Sequence, residues 1–362
     1  MKRLKLLFLV KPFGSKYPKH KAKYDFLRAI EEFAEVKYWN NDGDIREILK
    51  KLNYSPDFIF HYDVGWNFTY APKIKGLEKL TIPVGSYVID VHSPKEQRLR
   101  YFKESKVDLI FSVTKHPFLK AFPQYKSKFR FLPFSINPDV IKNWKEPKDI
   151  DFLLMGLISS RQRYPLREAV LKKMSGMAGF VHIPHPGHFA APRKDLIVNE
   201  NYARTLNRSK IFFTCGGLLK YPVMKFFEAP GCGTLLFAEP NPDITELGFK
   251  DGVNYVACHP SNFYEKALYY LENEDERERI SKNGYDFIHA HHTNRVRAKE
   301  FIRYVEDYLQ KSPKKRASAA PRRSPQKSRA NASHWIAGGA RNTGNKGDSH
   351  VFIVNRNHHG KK

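Results

Sequence analysis

The sequence predicts an α/β protein of two doubly wound domains in tandem, with a cleft between them and a basic tail behind. Three observations carry that prediction. Short apolar runs alternate with helix-patterned segments up to about residue 310, the alternation stops and restarts near residue 150, and 362 residues suit two cores of roughly 150 each. Strands that are apolar on both sides and alternate with helices argue for parallel sheets covered on both faces.

The elements follow in order. Met1-Lys2-Arg3-Leu4-Lys5 has the look of a signal peptide, but the apolar run Leu6 to Val10 stops at Lys11 without a small-residue cleavage site and reads as a buried strand. A loop with Gly14 leads to a helix over Tyr24 to Phe33, then a strand at Val36 to Trp39, a helix at Ile45 to Leu52 and a strand at Phe58 to Tyr62. Further strands are expected at Tyr87 to Val91, Leu109 to Val113 and Phe129 to Leu132. Asn137 to Lys148, rich in Pro, Asn and Lys, marks the break. The second series is a strand at Asp151 to Met155, a helix at Leu166 to Met174, and strands at Phe180 to Ile183 and Lys210 to Thr214. A helix through Phe227 and strands at Thr234 to Ala238 and Asn254 to Ala257 come next. Helices at Asn262 to Leu271, Glu274 to Ala290 and Arg295 to Leu309 close it. The division expected is 1–140, 141–311 and a disordered tail, 312–362.

Composition excludes several classes. With 41% hydrophobic and 14% aromatic residues the chain is not disordered throughout, and no run of about 20 apolar residues offers a spanning helix. Cys215, Cys232 and Cys258 are an odd number without C-x-x-C spacing, as expected of reduced structural thiols in a cytoplasmic protein. Of the net charge of +26, residues 311–362 carry +12, from 13 basic side chains against Asp348. Such a segment either binds phosphate backbones or acidic surfaces non-specifically, or only solubilises.

In open parallel sheets, ligands sit beyond the carboxyl ends of the strands, where helix N-termini favour phosphate. The first such loop of the second half, Gly156-Leu-Ile-Ser-Ser-Arg161-Gln-Arg163-Tyr-Pro165, offers backbone N–H groups, hydroxyls and two guanidinium groups to a diphosphate. A solvated loop with surface arginines is the bland alternative. Another loop, Cys215-Gly216-Gly217, leaves a later strand. Beyond it runs Tyr221-Pro-Val-Met-Lys225-Phe-Phe-Glu228-Ala-Pro-Gly231-Cys-Gly233-Thr234-Leu-Leu-Phe237, the most specific stretch in the chain.

That stretch resembles the nucleotide-sugar signature of glycosyltransferases built from two facing Rossmann-like domains, the GT-B architecture. Leu132-Pro-Phe-Ser-Ile-Asn-Pro138 resembles the segment that ends their first domain. Asp243-Ile-Thr-Glu-Leu-Gly-Phe-Lys-Asp-Gly252, then Asn254-Tyr-Val, and His291-His-Thr with Arg297, resemble the spore-maturation (CgeB-type) glycosyltransferase-like family. The resemblance covers about residues 1–310, most strongly 150–300. It implies transfer of a sugar from a nucleotide diphosphate, a UDP-sugar first among them, to a glycan, protein or small-molecule acceptor. No bound cofactor or metal is expected, and anomeric configuration is retained. Glu228 takes the ribose hydroxyls, which a carboxylate can accept in pairs. Gly156, Arg161, Arg163, Gly216, Gly217, Tyr221, Lys225, Gly231, Gly233 and Thr234 surround the donor. In many retaining members a second glutamate stands eight positions earlier; here that position is Lys220.

The first half should recognise the acceptor. Asp90 and His92 alternate with apolar neighbours at a strand end, so both point one way and are the expected catalytic pair, orienting a hydroxyl or taking its proton. The alternative is an Asp that caps the following helix. Tyr62 and Asp63 form a weaker candidate of the same kind. His182, His185 and His188 have tempting spacing for a metal, but Pro184, Pro186 and Gly187 deny them a helix face and no Cys or carboxylate is near, so a polar loop is expected. Two rival functions remain: a phage- or virus-type enzyme that glycosylates nucleic acid, suited to the basic tail, and a non-catalytic binding protein of the same fold.

Overall fold

Alternating side chains divide each buried strand between two cores. In the first strand Leu6 and Phe8 face one way and Leu7 and Leu9 the other, and all four are inaccessible to solvent. A computed structural model of the chain describes residues 3–92, 94–158 and 163–311. The first sheet contains β1 (Leu4–Leu9), β2 (Ala34–Trp39), β3 (Phe58–His61), β4 (Val84–Val88), β5 (Leu109–Ser112) and β6 (Phe129–Phe131), all parallel, in the order β2-β1-β3-β4-β5-β6. The second contains β7 (Ile150–Gly156), β8 (Phe180–Pro184), β9 (Ser209–Thr214), β10 (Leu235–Ala238) and β11 (Val256–Ala257), again parallel, in the order β8-β7-β9-β10-β11. Each sheet is wound outward in both directions from its first strand. The switch points therefore fall between β1 and β3 and between β7 and β9, where crevices open at the carboxyl ends.

Three differences from the sequence reading have physical causes. The strand expected at Tyr87 to Val91 lies at Val84–Val88, because Gly85 provides room for two rings; a Cβ there would stand 2.5 Å from Phe58 Cζ and 3.0 Å from Phe111 Cε2. Glycine and serine in the run hid it from a hydrophobicity reading. The helix Lys95–Glu104 was not anticipated, since one of its buried residues is Arg98, which is held by Asp63. The final helix, Asn294–Lys311, departs from the expected division at residue 141. Its Phe301 packs on Phe8, Phe60 and Phe111 at ring-centroid distances of 6.1, 5.0 and 4.9 Å, so it completes the core of the first sheet. The halves thus connect at two adjacent crossings, where the Ile136 N–H donates to His292 O and the Asn294 N–H donates to Ile136 O.

Candidate functional site

The second domain provides an arginine, a lysine and a glutamate around one glycine. Gly156 ends β7 at φ +123°, a conformation open to glycine, and a Cβ there would meet Lys225 Cε at 3.3 Å and Arg167 Nη1 at 3.5 Å. Arg167, buried in the helix Pro165–Met174, donates from Nη2 to Cys215 O (3.0 Å) and Thr214 Oγ1 (3.2 Å) and lies 4.2 Å over the Tyr164 ring. Its Nε has no hydrogen-bond partner among the described residues. Lys225 opens the helix Lys225–Gly231, and one turn on, Glu228 accepts a 2.9 Å hydrogen bond from Tyr202 Oη. Burial pushes the Glu228 carboxyl up, against the pull of Lys225 and the Tyr202 hydroxyl. Burial and then Arg167 bring Lys225 down to about 8.

The first domain adds two lysines that sequence reading passed over. Lys19 and Lys23 follow β1, and both feel the charge of Glu228. Burial and then Lys225 lower Lys19 to about 6, and burial lowers Lys23 to about 8. Lys19 Nζ also meets His185 Nε2 of the second domain. A signal existed: Lys16, Lys19, Lys21 and Lys23 crowd the first strand's carboxyl end. Arg167 had a fainter one, as a cation two residues after the helix-opening Pro165.

Asp90 and His92 lie beyond β4 and still come together, with Asp90 Oδ1 against His92 Nδ1. Across the cleft, Tyr221 Oη is 2.9 Å from His92 Nδ1 and 3.5 Å from Asp90 Oδ1, and Arg163 Nη2 is 3.1 Å from His92 Nε2. An arginine only donates, so Nε2 is the acceptor nitrogen and Nδ1 carries the hydrogen. Burial pushes the Tyr221 hydroxyl up, with Asp90 adding to the shift.

Other expected site residues serve the fold. Gly216 leaves room for the Tyr221 backbone, since a Cβ would stand 2.5 Å from Tyr221 O, while Gly217 lies against Arg163 O, which accepts from the Leu218 N–H at 3.0 Å. These two glycines shape the crevice wall. Gly231, Gly233 and Thr234 fall at the amino end of β10, the edge opposite the crevice, because the intervening helix runs back across the sheet. A Cβ on Gly231 would strike Ile141, Gly233 (φ +72°) turns the chain, and the buried Thr234 hydroxyl donates to Leu206 O at 2.5 Å. Arg161 lies outside the described residues.

Asp63 is a brace. Fully buried, it takes Arg98 Nη2 at 2.7 and 2.8 Å and the Gly65 and Ile89 N–H groups at 2.9 and 3.0 Å. Just after it, Trp66, Asn67 and Phe68 adopt left-handed φ values of 54°, 50° and 58°, a strain of about 1–3 kcal/mol at each residue. Opposite them, the His185 and His188 rings lie 4.7 Å apart, and His20 stacks on His188 at 5.9 Å. Burial, then neighbouring lysines, lower His20, His185 and His188 to about 2, 3 and 4, so all three are uncharged near neutrality. His182 lies within β8 itself. Among the described residues no group of three His, Cys, Asp or Glu side chains is placed to hold a metal ion.

Residues 141–303 match the model of a family described as glycosyl transferase-like. Comparison with curated proteins finds no match. Among solved structures, HepE of Anabaena, in complex with UDP and glucose, is similar at 11% identity over 84% of this chain and all of that one, with a TM-score of 0.54. Sucrose-phosphate synthase of Thermosynechococcus elongatus is similar at 11% identity over 86% of this chain and all of that one, TM-score 0.54. A glycosyltransferase of Rickettsia africae gives 11% identity, 86% and full coverage, and a TM-score of 0.52. These likenesses show the fold: two facing Rossmann-like domains in the GT-B arrangement. Among the described residues no helix is long and apolar enough to cross a membrane.

Proposed function

We propose that this protein is a glycosyltransferase that takes a nucleotide-diphosphate sugar, UDP-glucose or a relative, and moves the sugar to an acceptor hydroxyl. One observation carries the reading. Lys19, Lys23, Arg167 and Lys225 gather around buried Glu228 where the carboxyl ends of both sheets meet. Arg167 and Lys225 flank Gly156, where no side chain keeps a phosphate away from the backbone. Glu228 then accepts from the ribose hydroxyls. As the bond from the anomeric carbon to the diphosphate oxygen breaks, negative charge grows on the leaving group, and preorganised cations stabilise it. In this proposal those fixed cations replace a divalent ion. HepE, whose fold is shared, is known in complex with UDP-glucose, which supports the choice of donor.

The CgeB-type kinship and a cytoplasmic setting belong to the same proposal; the three buried free thiols support the latter. The acceptor meets Asp90 and His92. Asp90 fixes the imidazole tautomer, and Arg163 holds the basic Nε2 until it turns toward the donor phosphates. Retention, the outcome the resemblance implies, leaves His92 an orienting group, with the departing phosphate as base. The Asp90–His92 geometry favours a second outcome, in which His92 takes the proton and configuration inverts. The anomeric proton coupling in the product's NMR spectrum separates the two. Calorimetric titration with a panel of nucleotide sugars tests the proposal as a whole: a folded protein that binds none of them is no glycosyltransferase.

A further inference from the structure

Two large aromatic rings stand exposed beside the cleft. Trp66 is 44% accessible and Phe189 53%. They join one belt drawn from both domains: the Trp66 ring lies 6.5 Å from His188, His188 lies 6.4 Å from Phe189, and Tyr17 meets Phe189 edge-on at 5.1 Å. His185 and His20 flank His188, and His185 reaches Lys19, so the belt runs without a break to the cation cluster. The strained left-handed run at Trp66 is held from below, with Lys11 Nζ donating to Phe68 O at 2.9 Å and the Thr69 hydroxyl to Trp66 O at 2.5 Å. Strain of this kind persists where the surroundings enforce it, and it tends to mark functional sites.

We propose that the belt of Tyr17, Trp66, His188 and Phe189 is the acceptor subsite, and that it takes a pyranose ring of a neutral glycan. This rests on the glycosyltransferase reading above. An aromatic face carries partial negative charge and suits the weakly positive C–H face of a sugar. A neutral imidazole offers one donor and one acceptor, and a hydroxyl both donates and accepts, so the histidines match the hydroxyl edge of the ring. The three histidines are uncharged near neutral pH, so they themselves add no preference for an anionic ring. A nucleobase has a flat face too, but an unmodified base carries no alcohol hydroxyl to accept a sugar, whereas a pyranose carries several.

The test titrates the full-length protein with maltotetraose, cellotetraose and chitotetraose, by saturation-transfer NMR and tryptophan fluorescence, with UDP-glucose calorimetry in parallel. At least one oligosaccharide should bind, and Trp66→Ala and Phe189→Ala should each weaken it by about tenfold or more, the scale of one lost ring contact plus its buried area. Trp66→Phe should retain most of the affinity, and UDP-glucose affinity should stay unchanged in all three variants. Thermal melts identify a variant that fails to fold, and the Phe189 variant, in a separate loop, then decides alone. Wild-type protein that binds none of the three sugars, sugar binding indifferent to both alanine variants, or preferential capture of oligothymidylate at Trp66 overturns the proposal. Failure of the wild type to bind UDP-glucose or any other nucleotide sugar of the panel sinks the donor reading instead, while the sugar titration still reports on the belt.

Discussion

If the proposed donor site is correct, Lys19 links donor binding to proton uptake. In the free protein its ammonium is lowered to about 6, first by burial and then by Lys225. At pH 7.5 only about 3% of such a group carries a proton, and a bound diphosphate restores it by supplying the missing countercharge. Binding UDP-glucose at pH 7.5 should therefore take up about one proton at Lys19, with a smaller share at Lys23 and Lys225, both near 8. Between pH 6 and 7.5 the affinity should fall by about 16-fold through Lys19 alone and about 28-fold with the other two, as upper limits for full reprotonation. UDP-glucose is the right probe because neither of its phosphates is a terminal one that titrates in this range. Apo stability has the opposite sign: the folded state binds fewer protons than the unfolded chain, so Lys19 contributes stability that is present at high pH and lost as pH falls toward 6. Calorimetry in two buffers of different ionisation enthalpy reads the uptake directly. Lys19→Met should remove about one proton of it and flatten the pH dependence. Equal uptake in wild type and Lys19→Met refutes the placement of Lys19 against the diphosphate.

Three further outcomes are expected. Glu228→Ala should weaken donor binding by about ten- to a hundredfold, the 1.5–3 kcal/mol of a charged hydrogen-bonding partner, while Tm holds within a few degrees; unchanged affinity in a folded variant would falsify its role. Turnover should persist in excess EDTA, and Lys225→Ala should lower kcat by about 10²–10³-fold, the scale of one lost electrostatic donor; strict dependence on Mn²⁺ after chelation counts against the fixed-cation mechanism. Removing residues 312–362, which carry 12 basic side chains, should reduce retention on heparin and leave Tm and donor hydrolysis unchanged, and a large loss of stability would show that the segment packs on the domains.

The fold was legible because its cause is local. Runs such as Leu6 to Val10 and Phe152 to Met155 are apolar on both faces, and that pattern belongs to covered parallel strands. Val84–Val88 was misplaced because its fit depends on the rings of Phe58 and Phe111, which arrive from other strands. The last helix was assigned by adjacency in sequence, whereas Phe301 goes where an aromatic cluster awaits it. The candidate site divided in the same way. Lys225, Glu228, Asp90 and His92 stood in recognisable local contexts. Gly231, Gly233 and Thr234 shared that context, but one helix carries the chain from one edge of the sheet to the other, which a linear motif does not register. Lys19 and Lys23 became site residues only when the first domain faced the second.

Contacts at two places help to hold that facing arrangement, and the charges between the halves explain its bias. Asp243 of the second domain accepts from Thr114 Oγ1 (2.6 Å), the Lys115 and His116 N–H groups (2.9 and 3.0 Å) and His116 Nδ1 (2.6 Å) of the first. At the other place, Ile136 pairs through its backbone with His292 and Asn294. Between these anchors Lys19 and Lys23 approach Lys225 and Arg167, a repulsion that Glu228 only partly offsets. Burial and this repulsion together lower Lys19 to about 6, so that it sheds its proton near neutral pH. In the proposed function, a bound diphosphate would supply the missing countercharge. On the proposed donor reading, closure and donor binding would favour each other, because a ligand shifts a conformational equilibrium by its differential affinity for the two states. Here that difference resides in the lysines of the domain that does not hold Glu228.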